Sequence, residues 1–391
     1  MSGVRTGLDR IAQGDSEAVR LIAGRRVGLL AHAASVDRML RPVASILEEA
    51  GANISALFGP EHGFAGAAQD MIGVRTHDAA EVPIYSLYGD DVEDLSPEPE
   101  WVRGLDAIVI DLQDVGSRYY TYAWTAALTL KVAAAVGTDV VLLDRPNPLG
   151  GARVEGAPQR AGYLSFVGLY PVAVRHGLTI AELMRWVCDR EQIDRDVLHV
   201  VPMDGWKRSM GWKDTGLPWV MPSPNMPTLD TASVYPGGCL IEGTQLSEGR
   251  GTTRPFELWG APGLDVRPIL ELDLHGVTLR PLEFTPTFHK HAGLRCSGVQ
   301  VHVTDPWVFR PYEAYLRMLA IALSACPSEE RWRTETYEFV SDRPAIDLLT
   351  GGPEFRLAVE AGTPLDEMLR EQARGAAKFE DERREAWLYE K

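Results

Sequence analysis

Cysteine is scarce and scattered in this chain. Its 391 residues hold four, Cys188, Cys239, Cys296 and Cys326, tens of residues apart with no Cys-x-x-Cys pair, which excludes a ribbon or finger zinc site. Three of them have apolar or small neighbours, so buried free thiols are expected rather than a disulfide. Long apolar runs are missing too. No stretch approaches the roughly 20 apolar residues of a membrane span, and the opening MSGVRTGLDRIAQG has no apolar core behind its basic residues. No signal peptide is therefore expected, and the expected compartment is the cytoplasm. Positive charge is in deficit. A formal net charge of −16 repels a phosphate backbone, so nucleic acid is not an expected partner. The Gly-Lys-Ser/Thr core of a P-loop is absent, as is a strand–Gly-x-Gly-x-x-Gly–helix fingerprint, so no dinucleotide cofactor is expected. Neither His-Glu-x-x-His nor Gly-x-Ser-x-Gly occurs, which removes zincin and ordinary α/β-hydrolase chemistry. His289 and His291 read as solvated loop residues, and no metal is expected.

What is present is an ordinary globular composition on a chain too long for one core, because single cores stop growing near 250–300 residues. Short apolar runs recur without alternation: RRVGLLAHAAS (25–35), NISALFGPEHG (53–63), LDAIVIDLQDVG (105–116), DVVLLDRPNPLGG (139–151) and LHVVPMDGW (198–206). Helical spacing follows at 39–51, 125–137 and 179–191, the first two closed by Gly51 and Gly137. Uniformly apolar strands alternating with helices indicate parallel strands covered on both faces. The expected fold is α/β, a Rossmann-like, doubly wound, mainly parallel sheet with a second, smaller α+β C-terminal domain. The expected division is 1–262 and 263–391. PIYSLYG (83–89) is a further candidate strand or hairpin, and 207–262 is rich in Gly, Pro and Ser with little periodicity. A half-buried strand is expected at 298–306, an amphipathic helix at 310–326 and a solvated terminal helix at 365–386.

The chemistry collects where the strands end. The first runs into His32 and Ser35, and the second into Gly59-Pro60-Glu61-His62-Gly63. The third runs into Asp111, Gln113, Asp114, Ser117, Arg118, Tyr119, Tyr120 and Tyr122, and the fourth into Asp144-Arg145-Pro146-Asn147-Pro148. Open α/β sheets bind ligands at the carboxyl ends of their strands. Glu61 is the leading candidate, because a Gly-Pro turn fixes its backbone and a shielded carboxylic acid can deliver a proton to a leaving oxygen. Glycoside hydrolysis normally needs a second carboxylate, for which Asp114, Asp111 and Glu248 are candidates. Candidate binding residues are His62, Arg118, Tyr119, Tyr120, Asp144, Arg145, Asn147, His176, Asn225, Glu242 and Arg250. Aromatic faces stack on sugar rings and guanidinium groups hold carboxylates. Arg145 reads equally well as an internal partner of Asp144, and Tyr122 and Trp124 read as core.

Several stretches together resemble the exo-β-N-acetylmuramidases of the NamZ type. They are FGPEHGFAG, SLYG, DLQDVGSRYYTY, LDRPNPLGG with VEG, SFVG, RHGLTIAEL, SPNMPT, YPGGCLIEGTQLSEGRGTTRPFE and GAP, in one order from about 58 to 262. The turn at His32-Ala33-Ala34-Ser35 departs from the Asn- or Thr-containing turn expected there. The resemblance implies release of N-acetylmuramic acid from the non-reducing end of peptidoglycan-derived chains, and a cleft between a Rossmann-like domain and a smaller one. It also implies that Glu61, in the Gly-Pro-Glu-His-Gly motif, is the catalytic acid. The substrate then carries a lactyl carboxylate, for which Arg118, Arg145 and Arg250 are candidate cations.

Overall fold

A computed structural model describes residues 3–63 and 82–390. Six strands, β1 (Arg26–Ala31), β2 (Asn53–Gly59), β3 (Ile84–Ser86), β4 (Ala107–Asp111), β5 (Asp139–Leu143) and β6 (Leu198–Val201), pair in the order β3-β2-β1-β4-β5-β6. Every pairing is parallel. The expected strands are all present, and 83–89 supplies β3. Residues 64–66 of the FGPEHGFAG stretch lie outside the described residues.

The apolar runs of β1, β4 and β5 become strands buried on both faces. Val27, Leu29, Ala31, Ala107, Val109, Val141 and Leu143 pack on one face against Leu8, Ile11, Ile46 and Leu47. Leu30, Ile108, Ile110, Val140 and Leu142 pack on the other against Trp124, Leu130, Leu183 and Val187. Each buried Val, Leu or Ile among them contributes about 1.5–3 kcal/mol by leaving water. Gly28 lets β2 approach, since a Cβ there would meet Phe58 at 2.7 Å and Leu105 at 2.8 Å.

Helices cross between the strands. The helix expected at 125–137 begins earlier, at Tyr122–Val136. The one expected at 39–51 is shorter, Val43–Glu49, because the Asp37 carboxylate accepts from the amides of Met39 and Arg41 and holds a turn there. The poorly periodic 207–262 stretch contains a helix, Leu229–Gly238, most of whose residues are buried. A helix buried over most of its surface shows little amphipathic stripe, so periodicity could not reveal it.

β7 (Leu258–Ala261), β8 (Val277–Phe284) and β9 (Cys296–Val303) form an antiparallel sheet in the order β7-β9-β8. Pro281 lies in β8, an edge strand, where its missing N–H costs no ladder bond. Val299 and Val301 of β9 belong to the same apolar cluster as Ile110 and Leu142 of the parallel sheet, so the core is continuous between the two sheets. The terminal helix, Asp366–Glu382, is largely exposed. The turn after it carries a buried anchor: Arg383 is fully buried and donates to the carbonyls of Gly151 and Gly177. All four cysteines are free thiols. Among the described residues no helix is long and apolar enough to cross a membrane.

Candidate active site

β1 is flanked by β2 and β4, so the strand order reverses there and opens a crevice beyond the carboxyl ends. The loops over this end are stitched together. His32, just past β1, accepts from the Gln113 amide through Nε2 (3.0 Å) and donates from Nδ1 to the Pro222 carbonyl (3.2 Å). Tyr122 donates to the same carbonyl (2.8 Å). Burial, reinforced by the charge of Arg145, pushes His32 down to about 3, so it is a neutral clamp and not an acid.

Glu61 sits one turn past β2. Gly59 ends the strand, the Gly63 amide donates back to the Pro60 carbonyl (2.9 Å), and His62 and Gly63 both take left-handed φ, 71° and 76°. Such a backbone strains a non-glycine residue and is characteristically retained at functional sites. The turn sends Glu61 towards Thr121, which precedes the Tyr122–Val136 helix and whose Oγ1 donates to Glu61 Oε2 (2.6 Å). No hydrogen bond occupies Oε1 among the described residues. Glu61 is 6% exposed and lines a cleft with His62, Tyr119, Tyr120, Thr121, Asn225, Tyr235, Glu242, Arg250, Tyr337 and Glu338.

The cleft is walled by side chains with assigned tasks. Burial pushes the Tyr119 and Tyr120 phenols up, which keeps both as proton-bearing donors at neutral pH. Glu242 accepts from Arg250 (2.5 Å) and from the Tyr337 hydroxyl (2.6 Å). Glu338 receives longer contacts from the Tyr88 hydroxyl, 3.3 and 3.5 Å. Glu338 and Phe339 take left-handed φ in succession, 46° and 67°.

The cleft therefore gathers Glu61, His62, Tyr119, Tyr120, Asn225, Glu242 and Arg250 from the sequence candidates. The other candidates are placed elsewhere. Asp111 is fully buried in a two-pronged pair with Arg145, at 2.5 and 2.7 Å, so Arg145 serves Asp111 and not Asp144. Arg118 is fully buried and donates to the carbonyls of Ala157, Val172 and Leu349. Asn147 bridges the Leu149 amide and the Leu178 carbonyl. Asp114 accepts from the Gly116 amide (2.6 Å) and faces His176 Nε2 at 3.5 Å. Beside the larger effect of burial, it helps to raise the Tyr120 phenol. Glu248 is held by His289 (2.9 Å), Lys290 (3.0 Å) and Arg250 (3.3 Å). Burial opposes its charge, but Lys290, the hydrogen bond with His289 and Arg250 win and keep its carboxyl well below the usual range. Sequence reasoning missed Thr121 and Tyr235, which lie inside the DLQDVGSRYYTY and YPGGCLIEGTQLSEGRGTTRPFE stretches, and Tyr337 and Glu338, which lie in no stretch singled out.

Asp144 accepts from the Ala181 amide at the start of the Ile180–Glu191 helix (3.2 Å) and from the Tyr389 hydroxyl (2.6 Å). Burial raises it to about 7, as it does Glu155. A folded pKa above the unfolded value stabilises the protein below about pH 4, and that contribution is lost as pH rises towards 7. Urea denaturation at pH 5 and pH 7.5 should show the Asp144→Asn variant losing less stability over this interval than the native chain. An identical slope for both would contradict it.

Family models describe both parts of the chain. Residues 27–230 match the N-terminal model of exo-beta-N-acetylmuramidase NamZ and residues 233–389 match its C-terminal model. The chain is also 40% identical, over 99% of its length and 91% of the relative's, to the peptidoglycan beta-N-acetylmuramidase NamZ of Bacillus subtilis (strain 168). This chain belongs to the NamZ family. Among solved structures it resembles two DUF1343 family proteins of Bacteroides fragilis NCTC 9343. One is 30% identical with a TM-score of 0.87 and 99% of each chain covered. The other is 26% identical with a TM-score of 0.74, covering 100% of this chain and 99% of that one. The NamZ models meet between 230 and 233, within the Leu229–Gly238 helix that carries Tyr235 into the Glu61 cleft.

Proposed function

We propose that this chain is an exo-β-N-acetylmuramidase, a glycosidase that releases N-acetylmuramic acid from the non-reducing end of peptidoglycan-derived saccharides. The observation that carries the reading is Glu61, in a NamZ-family chain. Thr121 holds one of its carboxyl oxygens, the other takes no hydrogen bond among the described residues, and Glu61 lines a cleft walled by phenols, two further carboxylates and Arg250. Glu61 is the acid that protonates the leaving oxygen. Arg250, set between Glu242 and Glu248, is the cation that meets the lactyl carboxylate, and Tyr119 and Tyr120 donate to the sugar.

Glu338 is the proposed second carboxylate. It shares the cleft with Glu61, is 4% exposed, and sits on backbone whose strain the surrounding fold must hold. Glu242 serves instead to orient Arg250. Asp114 acts on the Tyr120 phenol. Glu338→Gln should lower kcat by about 10²-fold or more, the scale of a lost acid–base group. A kcat within about threefold of native would return the role to Glu242 or Asp114. The reading as a whole is tested with a synthetic disaccharide of N-acetylmuramic acid β-linked to N-acetylglucosamine. Free N-acetylmuramic acid should appear, and proton NMR of the fresh product shows which anomer forms first. No release at any enzyme concentration would end the proposal.

A further inference from the structure

A second cleft, about 280 Å³, opens elsewhere in the molecule and shares no lining residue with the Glu61 cleft among the described residues. Its walls include Arg175, Trp212, Lys213 and Trp307. Arg175 is 5% exposed, yet among the described residues its guanidinium makes only one hydrogen bond, from Nη2 to the Leu149 carbonyl. Its Nε is buried with no partner, and no carboxylate lies within 4.0 Å of the guanidinium among the described residues. Removing a cation from water without a counter-charge is among the costlier arrangements in a protein. Buried polar groups left unsatisfied ask for an explanation. The surroundings add to the imbalance: Arg153, Arg310 and Arg383 act on Arg175 electrostatically, against Glu155 alone. In a chain with a net charge of −16, this is a local positive site.

The aromatic walls specify more than an anion. Trp307 is half-buried, close against Gly150 and Gly211, where an added Cβ would meet its ring at 3.6 and 3.4 Å. Trp212 is fixed by its indole N–H on the Leu217 carbonyl (3.1 Å) and by edge contact with Trp219. Indole faces accept the apolar face of a ring, and a guanidinium accepts a carboxylate. The acids on this rim do not cancel the cation: Asp214 is spent on the Gly211 amide (2.9 Å), and Asp230 is exposed.

We propose that this cleft is a second saccharide site, which binds a sugar ring bearing a carboxylate through Arg175 and the Trp307 indole. That ligand class rests on the saccharide activity proposed above. The Leu229–Gly238 helix lies between the two sites, giving Asp230 and Ser233 to this cleft and Tyr235 to the other. A distant unit of a long substrate, held here, would raise affinity without touching the reacting bond.

Fluorine NMR of the full chain labelled with 5-fluorotryptophan tests this without needing turnover. The Trp307 signal is assigned by its loss in Trp307→Phe. N-acetylmuramic acid should shift that signal saturably, and N-acetylglucosamine, which lacks the carboxylate, should bind about tenfold more weakly or not at all. Arg175→Gln should remove the preference between the two sugars. If Arg175→Gln does not fold, the sugar comparison on the native chain decides alone. An unmoved Trp307 signal, equal response to both sugars, or a stronger response to a short peptide carboxylate overturns the site. Hydrolysis of the muramyl disaccharide is assayed on the same sample. A shifted Trp307 without hydrolysis overturns the activity and keeps the site; hydrolysis with a silent Trp307 does the reverse.

Discussion

Glu61→Gln should lower kcat on the muramyl disaccharide by about 10²–10⁴-fold, the range that a positioned general acid contributes, while the unfolding temperature stays within a degree or so of native. The substitution keeps size and shape. Its amide oxygen can still accept from Thr121 Oγ1, so the hydrogen bond that now holds Glu61 Oε2 survives. What disappears is a proton that the group can give away. An aryl glycoside whose phenol leaves without assistance should narrow the deficit, because the lost step is protonation of the leaving oxygen. Both readouts are steady-state rates with thermal denaturation as the control. Turnover within tenfold of native, or an equal deficit on both substrates, would remove Glu61 from the acid role.

The second large effect concerns stability. Asp111→Ala should cost about 3–5 kcal/mol, the usual consequence of stripping one partner from a buried ion pair. Asp111 has no exposed surface and Arg145 only 7%. Their two-pronged contact also fixes Arg145 Nη2 on the Val36 carbonyl (2.9 Å), which ties the loop after β1 to the tips of β4 and β5. Without Asp111 the guanidinium stays buried and uncompensated. Replacing both, as Asp111→Leu with Arg145→Met, should recover most of the loss, since an apolar pair carries no desolvation cost. Urea denaturation measures both variants. Full stability in Asp111→Ala together with lost turnover would instead make Asp111 the second carboxylate.

These two carboxylates lie at the carboxyl ends of β2 and β4 in the same sheet, and their contrast shows how far the residues could be read alone. Glu61 was legible because its setting is local: a strand, a Gly-Pro turn and a histidine forced into left-handed backbone all lie within a few positions of it. Asp111 looked equally reactive in its strand end. Its partner, Arg145, is 34 residues away, and nothing in either segment announces the pairing. Glu248 was misleading for the same reason, since Lys290, its ion-pair partner, and His289, its hydrogen-bond partner, come from a distant loop.

The sequence by itself determined the parallel sheet and the end of it where chemistry sits. Uniformly apolar runs between helices allow few arrangements that bury both faces, and a strand must release its polar residues at its tip. Only the tertiary structure decided which charged groups face the cleft and which cancel one another in the interior. That choice depends on how loops from residues 61, 121, 242 and 338 converge. Electrostatic partners are chosen by distance in space, for which distance along the chain gives no measure.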